Sequence, residues 1–288
     1  MKVLLATDGS DYAEQSIRRF SLLPIKHSPS YEIVTVKSNQ AYGLIHQDVY
    51  AELLRQEDAR ASESFKRAAA ILEEANLKAV HIVRSGQPAN EITRYAKEAM
   101  VDLIVVGAHG VSLLSRLLIG STSETIARHA PCSVMIVREA DRHQHAHGNI
   151  RRITIASDCS DADIQIAAQV NALGVSSDVQ FQLISVIEHP YLLDPNSEYD
   201  AQMTRQVSQA LDRLGENLEV NPSNIEKRVF EKTHVASCIL SFINEHPTDM
   251  IVLGDKGRSA IGHFFLGSVS RYVLHHAHSS VMVARKKI

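Results

Sequence analysis

Short unbroken apolar runs recur along the chain, separated by longer stretches whose apolar positions fall three and four residues apart. In the first half this pattern predicts strands at Lys2–Ala6, Glu32–Val36, Ala79–Arg84, Leu103–Val106 and Ser133–Val137. Between them it predicts helices near Asp11–Leu23, Val49–Ala75, Ala89–Ala99 and Ser121–Arg128. The second half repeats the scheme, with strands near Arg152–Ala156, Gln180–Val186, Glu226–Phe230, Met250–Leu253 and Ser280–Ala284. Runs such as LIVV and MIVL suit strands buried on both faces. Strand and helix in strict alternation imply βαβ units with right-handed crossovers and a parallel sheet.

The halves are copies of each other. Residues 101–138 align without a gap on residues 248–285 at a shift of 147, with 15 identities in 38 positions. The opening segments correspond too: VLLATDGSDYAEQSI parallels ITIASDCSDADIQIA, with Asp8 falling on Asp158. A repeat this long is a duplicated domain, not a solenoid of short units. The expected architecture is α/β, two tandem doubly wound parallel-sheet α/β sandwich domains related by a pseudo-twofold. The first spans 1–140, a linker 141–150, and the second 151–288. The linker reading rests on EADRHQHAHGNI, which is polar, carries a glycine and lacks a periodic apolar face. His143, His145 and His147 alternate there, but no acid or cysteine accompanies them at ligand spacing, so no metal is assigned.

Composition narrows the function. The chain has 288 residues, 44% hydrophobic, enough for packed cores and incompatible with disorder. A formal net charge of -3 argues against a nucleic-acid partner, which calls for a basic stripe. Cys132, Cys159 and Cys238 are too few and too scattered for a disulfide framework, which points to a reducing, cytoplasmic setting. The opening MKVLLATDGS breaks at Asp8, too early for a signal peptide, and no run approaches the length of a membrane span. No membrane partner is expected.

Ligands of open parallel sheets bind outside the carboxyl ends of the strands, where the strand order reverses. The sequence places unusual residues there. After the fourth strand comes Gly107-x2-Gly110-x9-Gly120-Ser121, and its copy is Gly254-x2-Gly257-x9-Gly267-Ser268. The first two glycines permit a tight turn and a close backbone approach to a ligand. The third opens a helix whose free N–H groups and dipole make a phosphate seat. Ser121, Thr122 and Ser123, with Ser268 and Ser270, add hydroxyls.

With this signature present twice, together with the aspartate after the opening strand (TDGS and SDCS), each half resembles a universal stress protein domain. The resemblance covers nearly the whole chain apart from the linker. It implies a nucleotide-binding α/β fold with ATP, ADP or AMP as ligand and Mg2+ as an accompanying ion. It implies that Asp8 and Asp158 contact the adenosine part, and that the backbone at Val36 and Val186 meets the adenine. Val106, Gly107 and Gly110, with Leu253, Gly254 and Gly257, would line sugar and phosphates. Gly120, Ser121 and Ser123, with Gly267, Ser268 and Ser270, would hold phosphate oxygens. The implied role is a nucleotide-responsive regulator or scaffold in the stress response.

The halves also differ. SGQPANEI follows the third strand of the first, whereas EKTHVASCI, without that Gly and Pro, stands in the second; Cys159 replaces a glycine; Lys256 and Arg258 replace His109 and Val111. These changes imply an altered second pocket. Simpler readings also fit these residues: glycines as plain turns, Asp8 and Asp158 as N-caps, His275–His278 as a helix C-terminus, and Cys132 as a small hydrophobe. No GxxxxGK[ST], HExxH or GxSxG motif is present and no general base is evident, so no catalytic residue is assigned. A slow ATPase or autophosphorylating enzyme, and a binder of a non-nucleotide small molecule, stand as alternatives. The near-identical last strands SVMIV and SVMVA would be sheet edges, and two alike edges can pair about a pseudo-twofold, an intramolecular mimic of a dimer that leaves a homodimer open.

Overall fold

The computed structural model describes residues 1–25, 29–37, 47–110, 119–138, 150–188, 198–256 and 266–288. The linker histidines, Gly257 and Arg258 lie outside the described residues. The chain divides into two compact units, the bulk of one being Met1–Leu22 with Pro29–Val137 and that of the other Arg138–Lys286.

The first unit contains β1 (Lys2–Ala6), α1 (Asp11–Ser21), β2 (Ser30–Lys37), α2 (Gln47–Glu74), β3 (Ala79–Ser85), α3 (Pro88–Glu98), β4 (Leu103–Gly107), α4 (Ser121–His129) and β5 (Ser133–Val137). The second contains β6 (Arg152–Ser157), α5 (Ala162–Leu173), β7 (Gln180–Glu188), α6 (Glu198–Glu216), β8 (Ile225–Lys232), α7 (Val235–Glu245), β9 (Met250–Gly254), α8 (Ser268–His276) and β10 (Ser280–Ala284). All pairings within each unit's sheet are parallel, as the alternation predicts, and the strand orders are β3-β2-β1-β4-β5 and β8-β7-β6-β9-β10.

These orders follow from burial and handedness. Leu5 lies opposite Ile33 on one side and Val105 on the other, and Ile155 lies likewise between Leu183 and Val252. All six are buried, which is why the central runs are apolar without alternation. The chain steps outward from β1 to β3 and then returns to β4, so right-handed crossovers put α1 and α2 on one face and α3 and α4 on the other. Accordingly α1 packs on α2, and α3 on α4; in the second unit α5 packs on α6, and α7 on α8.

An aspartate shared by the two copies fixes the entry of the central strands. The Asp102 carboxylate, just before β4, accepts the Lys2 amide at 2.7 Å, and Asp249, just before β9, accepts the Arg151 and Arg152 amides at 2.9 Å each. Strands β1 and β4, and β6 and β9, therefore start together and also end together. The place where the order reverses is thus opened by the same pair of strands in each unit.

The turn leaving the first strand is built twice from the same parts. The Thr7 hydroxyl accepts the Gly9 amide at 3.1 Å, and the Ser157 hydroxyl accepts the Cys159 amide at 2.9 Å. Both turns need a left-handed residue, Gly9 at φ 75° and Cys159 at φ 57°. Glycine adopts that conformation freely, whereas a side chain costs about 1–2 kcal/mol there. We expect Cys159→Gly to stabilise the second unit by about 0.5–1 kcal/mol, after allowance for the freer unfolded chain. Gly9→Ala is expected to cost about 1–2 kcal/mol, because its new Cβ would also stand 2.2 Å from Ser64 Oγ. Chemical denaturation of the two variants reads both signs.

Candidate functional site

Between the ends of β1 and β4 lies a cavity of about 230 Å3. Strand β1 brings Ala6, Thr7 and Asp8 to it, β2 brings Val34 and Val36, and β4 brings Val106 and Gly107. His109 and Gly110 follow from the loop, Gly120, Ser121, Thr122 and Ser123 from the start of α4, and Pro88 and Ile92 from α3. All nine residues singled out in the first half thus line one space. In the second unit Asp158, Val186, Leu253, Gly254, Gly267, Ser268 and Ser270 line a cavity of about 590 Å3 at the corresponding place. Gly257, the remaining candidate, lies outside the described residues.

The aspartates prepare the helix entry without being its cap. Asp8 Oδ1 accepts the Ser10 amide at 3.0 Å and the Ser10 hydroxyl at 2.6 Å, and Ser10 Oγ in turn accepts the Ala13 amide as N-cap of α1. Asp158 Oδ1 accepts the Ser160 amide at 3.2 Å in the same way. The other Asp8 oxygen faces the glycine loop: a Cβ on Gly110 would lie 2.6 Å from Asp8 Oδ2. Gly110 is therefore required by the carboxylate it packs against. Gly107 and Gly254 are equally confined, their would-be Cβ atoms lying 2.7 Å from Ser16 Oγ and from Ala162 Cβ.

The third glycine and the serine three residues on shape the start of the helix. The Gly120 amide donates to Ala108 O at 2.8 Å and the Gly267 amide to Asp255 O at 2.8 Å. The Ser123 hydroxyl donates to Gly107 O at 2.6 Å, and Ser270 to Gly254 O at 2.7 Å. These hydroxyls clamp the helix start to the strand end, so their protons are already committed. Gly120 and Gly267 make no side-chain cap, which leaves the first-turn amides of α4 and α8 to face the cavity. Apolar wall on one side and helix-start amides on the other suit a ligand with a flat apolar part and an anionic part.

Several lining residues escape a motif search. Pro88 and Ile92 stand four apart on α3, and Val235 and Ile239 replace them on α7. Met203 and Val207, four apart on α6, also reach the second cavity. The signal was a helical apolar spacing, which says that a residue is buried but not what it faces.

Comparison with known proteins places the fold. The sequence model of the Universal stress protein family matches residues 1–138 and again residues 149–285. The chain belongs to the universal stress protein family. One half of this universal stress protein is 31% identical to a universal stress protein of Methanocaldococcus jannaschii, over 48% of the chain and 82% of that relative. It is 32% identical to the universal stress protein YxiE of Bacillus subtilis, over 48% of the chain and 98% of that relative. A crystal structure of a universal stress protein from Archaeoglobus fulgidus shares the fold with a TM-score of 0.66 at 21% identity, covering 99% of this chain and 96% of that one. Among the described residues no helix is long and apolar enough to cross a membrane.

The clamp makes a direct prediction for this universal stress protein. Ser123 is 4% exposed, so Ser123→Ala leaves a buried carbonyl without its donor. We expect a loss of about 1–2 kcal/mol, and the same for Ser270→Ala in the second unit. Denaturant unfolding measures it, and Ser123→Thr, which keeps the hydroxyl, should retain most of the stability.

Proposed function

We propose that each unit binds an adenine nucleotide in its switch-point cavity, and that the protein acts as a nucleotide-responsive regulator or scaffold of the stress response. The observation that carries this is the pairing, in both copies, of an apolar wall with the amides of an uncapped helix start. Adenine would lie against Val34, Val36 and Ile92 in the first cavity, and against Ile184, Val186 and Ile239 in the second. Ribose would meet Asp8 or Asp158, whose carboxylates border the cavities. Phosphate would sit at the starts of α4 and α8, where free N–H groups and the dipole favour an anion.

Confined glycines support the same reading. A ligand can approach the backbone closely at Gly107 and Gly110 only because no side chain stands there. Among the described residues no group of three His, Cys, Asp or Glu is arranged to hold a metal, so Mg2+ would travel on the nucleotide's own phosphates. Asp8 is engaged by the Ser10 amide and hydroxyl, which suits a fixed binding group better than a proton-transfer base.

Titration calorimetry of the full chain with ATP, ADP and AMP tests the proposal. We expect saturable binding by at least one of them. Gly110→Ala, which drives a methyl into the Asp8 carboxylate, should weaken the first cavity about tenfold, equivalent to about 1.4 kcal/mol. Absence of heat or competition with all three nucleotides would overturn the reading and return the cavities to another ligand class.

A further inference from the structure

Resting on that reading, we propose that the two cavities are tuned to nucleotides of different charge: the second selects the triphosphate, and the first does not. The two copies differ in charged residues at the end where the phosphates would sit.

At the shift of 147 that aligns the halves, Lys256 occupies the place of His109, and Arg271 that of Glu124. His109 and Lys256 both line their cavities. Glu124 and Arg271 lie in the first turns of α4 and α8. An acid in the first turn already compensates the positive helix end, and α4 has one. Helix α8 has no acid in its first turn, so its amides keep their full pull on an anion. Both exchanges make the start of α8 more positive than that of α4, Lys256 from the cavity lining and Arg271 from the exposed side of the first turn.

The new lysine is held ready without being spent. Its neighbour Asp255 would cancel the charge if it were loose, but Arg285 pairs with that carboxylate at 3.0 Å, and the Arg285 side chain is only 4% exposed. The Asp255 backbone is fixed at both ends, its amide donating to Ala284 O at 3.1 Å and its carbonyl accepting from Gly267 at 2.8 Å. Lys256 itself makes no ion pair or hydrogen bond with any described residue, although it lines a cavity. In the first unit the corresponding positions carry Ala108 and His109, and Arg138 stands in the place of Arg285 with no acid at the Asp255 position.

Asp158 lines the second cavity, its Oδ1 accepting the Ser160 amide at 3.2 Å, but it matches Asp8 of the first and so does not distinguish the two. Asp163, which replaces Ala13, accepts the Ser157 hydroxyl at 2.7 Å beside β6. Glu188 ends β7, and β6 runs between β7 and β9, so two strand spacings of roughly 4.8 Å each separate it from the lysine loop. The cavity is thus polarised, with its cation at the phosphate seat. It is also larger, about 590 Å3 against about 230 Å3, with Ile187, Glu188, Met203 and Val207 as added lining on β7 and α6. Together these make the second unit the triphosphate site, leaving the first to nucleotides bearing less charge. One chain would then register two nucleotide forms at once.

The test is calorimetry with ATP and AMP on the full chain in the Gly110→Ala background, in which the first cavity is weakened about tenfold and the second is read as the tighter site, with and without Lys256→Gln. The lysine is partly exposed and bonds to nothing described, so its replacement leaves the fold intact. We expect ATP to bind the second cavity about tenfold or more tightly than AMP, and Lys256→Gln to bring the ratio within about threefold by weakening ATP alone. In the reciprocal experiment, His109→Lys with Glu124→Arg should raise the ATP-to-AMP preference of the first cavity. Equal loss of ATP and AMP on Lys256→Gln, or no change in either, would overturn the charge selection while leaving nucleotide binding in place. Failure of the wild-type chain to bind either nucleotide would instead defeat the reading on which it rests.

Discussion

The hydrogen bond from Ser123 to the Gly107 carbonyl, repeated from Ser270 to Gly254, ties the carboxyl end of a buried strand to the amino end of a helix. Everything at the site depends on that junction. The strand end must stop at a glycine because Ser16, or Ala162 in the second unit, already fills the space a side chain would need. The helix must start uncapped because the residue before it is also glycine, with its own amide bound back to the loop at Ala108 or Asp255. The serine hydroxyl is spent on fixing position, so in the proposed function the backbone amides are left to attract the anion. Such amides cost no reorganisation when a ligand arrives, since the fold has already placed them.

Duplication explains how the two units came to share this junction and to differ around it. The parts that set backbone shape are repeated: the hydroxyl before the turn, the aspartate after it, the left-handed residue, the glycines, the clamping serine. The parts that set chemistry have diverged, with Pro88 exchanged for Val235, Ala13 for Asp163 and His109 for Lys256. Cys159 records the limit of that freedom. It holds a conformation suited to glycine because the surrounding hydrogen bonds, from the Cys159 amide to Ser157 Oγ and from the Ser160 amide to Asp158 Oδ1, impose it.

Much of this was legible in the sequence. Strands β1, β5 and β10 fall on their predicted bounds, because each is a short apolar run closed by a polar or small residue. Strands β2, β7 and β8 run one or two residues further than their apolar stretch, since backbone pairing continues through Lys37, Glu188 and Lys232 after burial has ended. Helix α1 stops at Ser21 rather than Leu23, its last turn closed by the Leu22 amide on Phe20. Every described candidate of the site faces its cavity, because glycines and hydroxyls at strand ends have few other reasons to be there. Pro88, Ile92, Val235, Ile239, Met203 and Val207 were not legible as site residues, since an apolar helix face looks the same whether it covers a core or a ligand. The commitment of the serine hydroxyls was hidden for a similar reason: spacing shows that a hydroxyl stands near the seat, and only geometry shows where its proton goes.

In the proposed function the first-turn amides of α4 and α8 hold the anionic end of a nucleotide. Amide hydrogen exchange of the full chain, with and without saturating ATP, reads those groups directly. We expect slowed exchange across Ser121–Ser123 and Ser268–Ser270, with the Gly107–Gly110 loop protected alongside. Bound ATP that leaves exchange at both helix starts unchanged would contradict it.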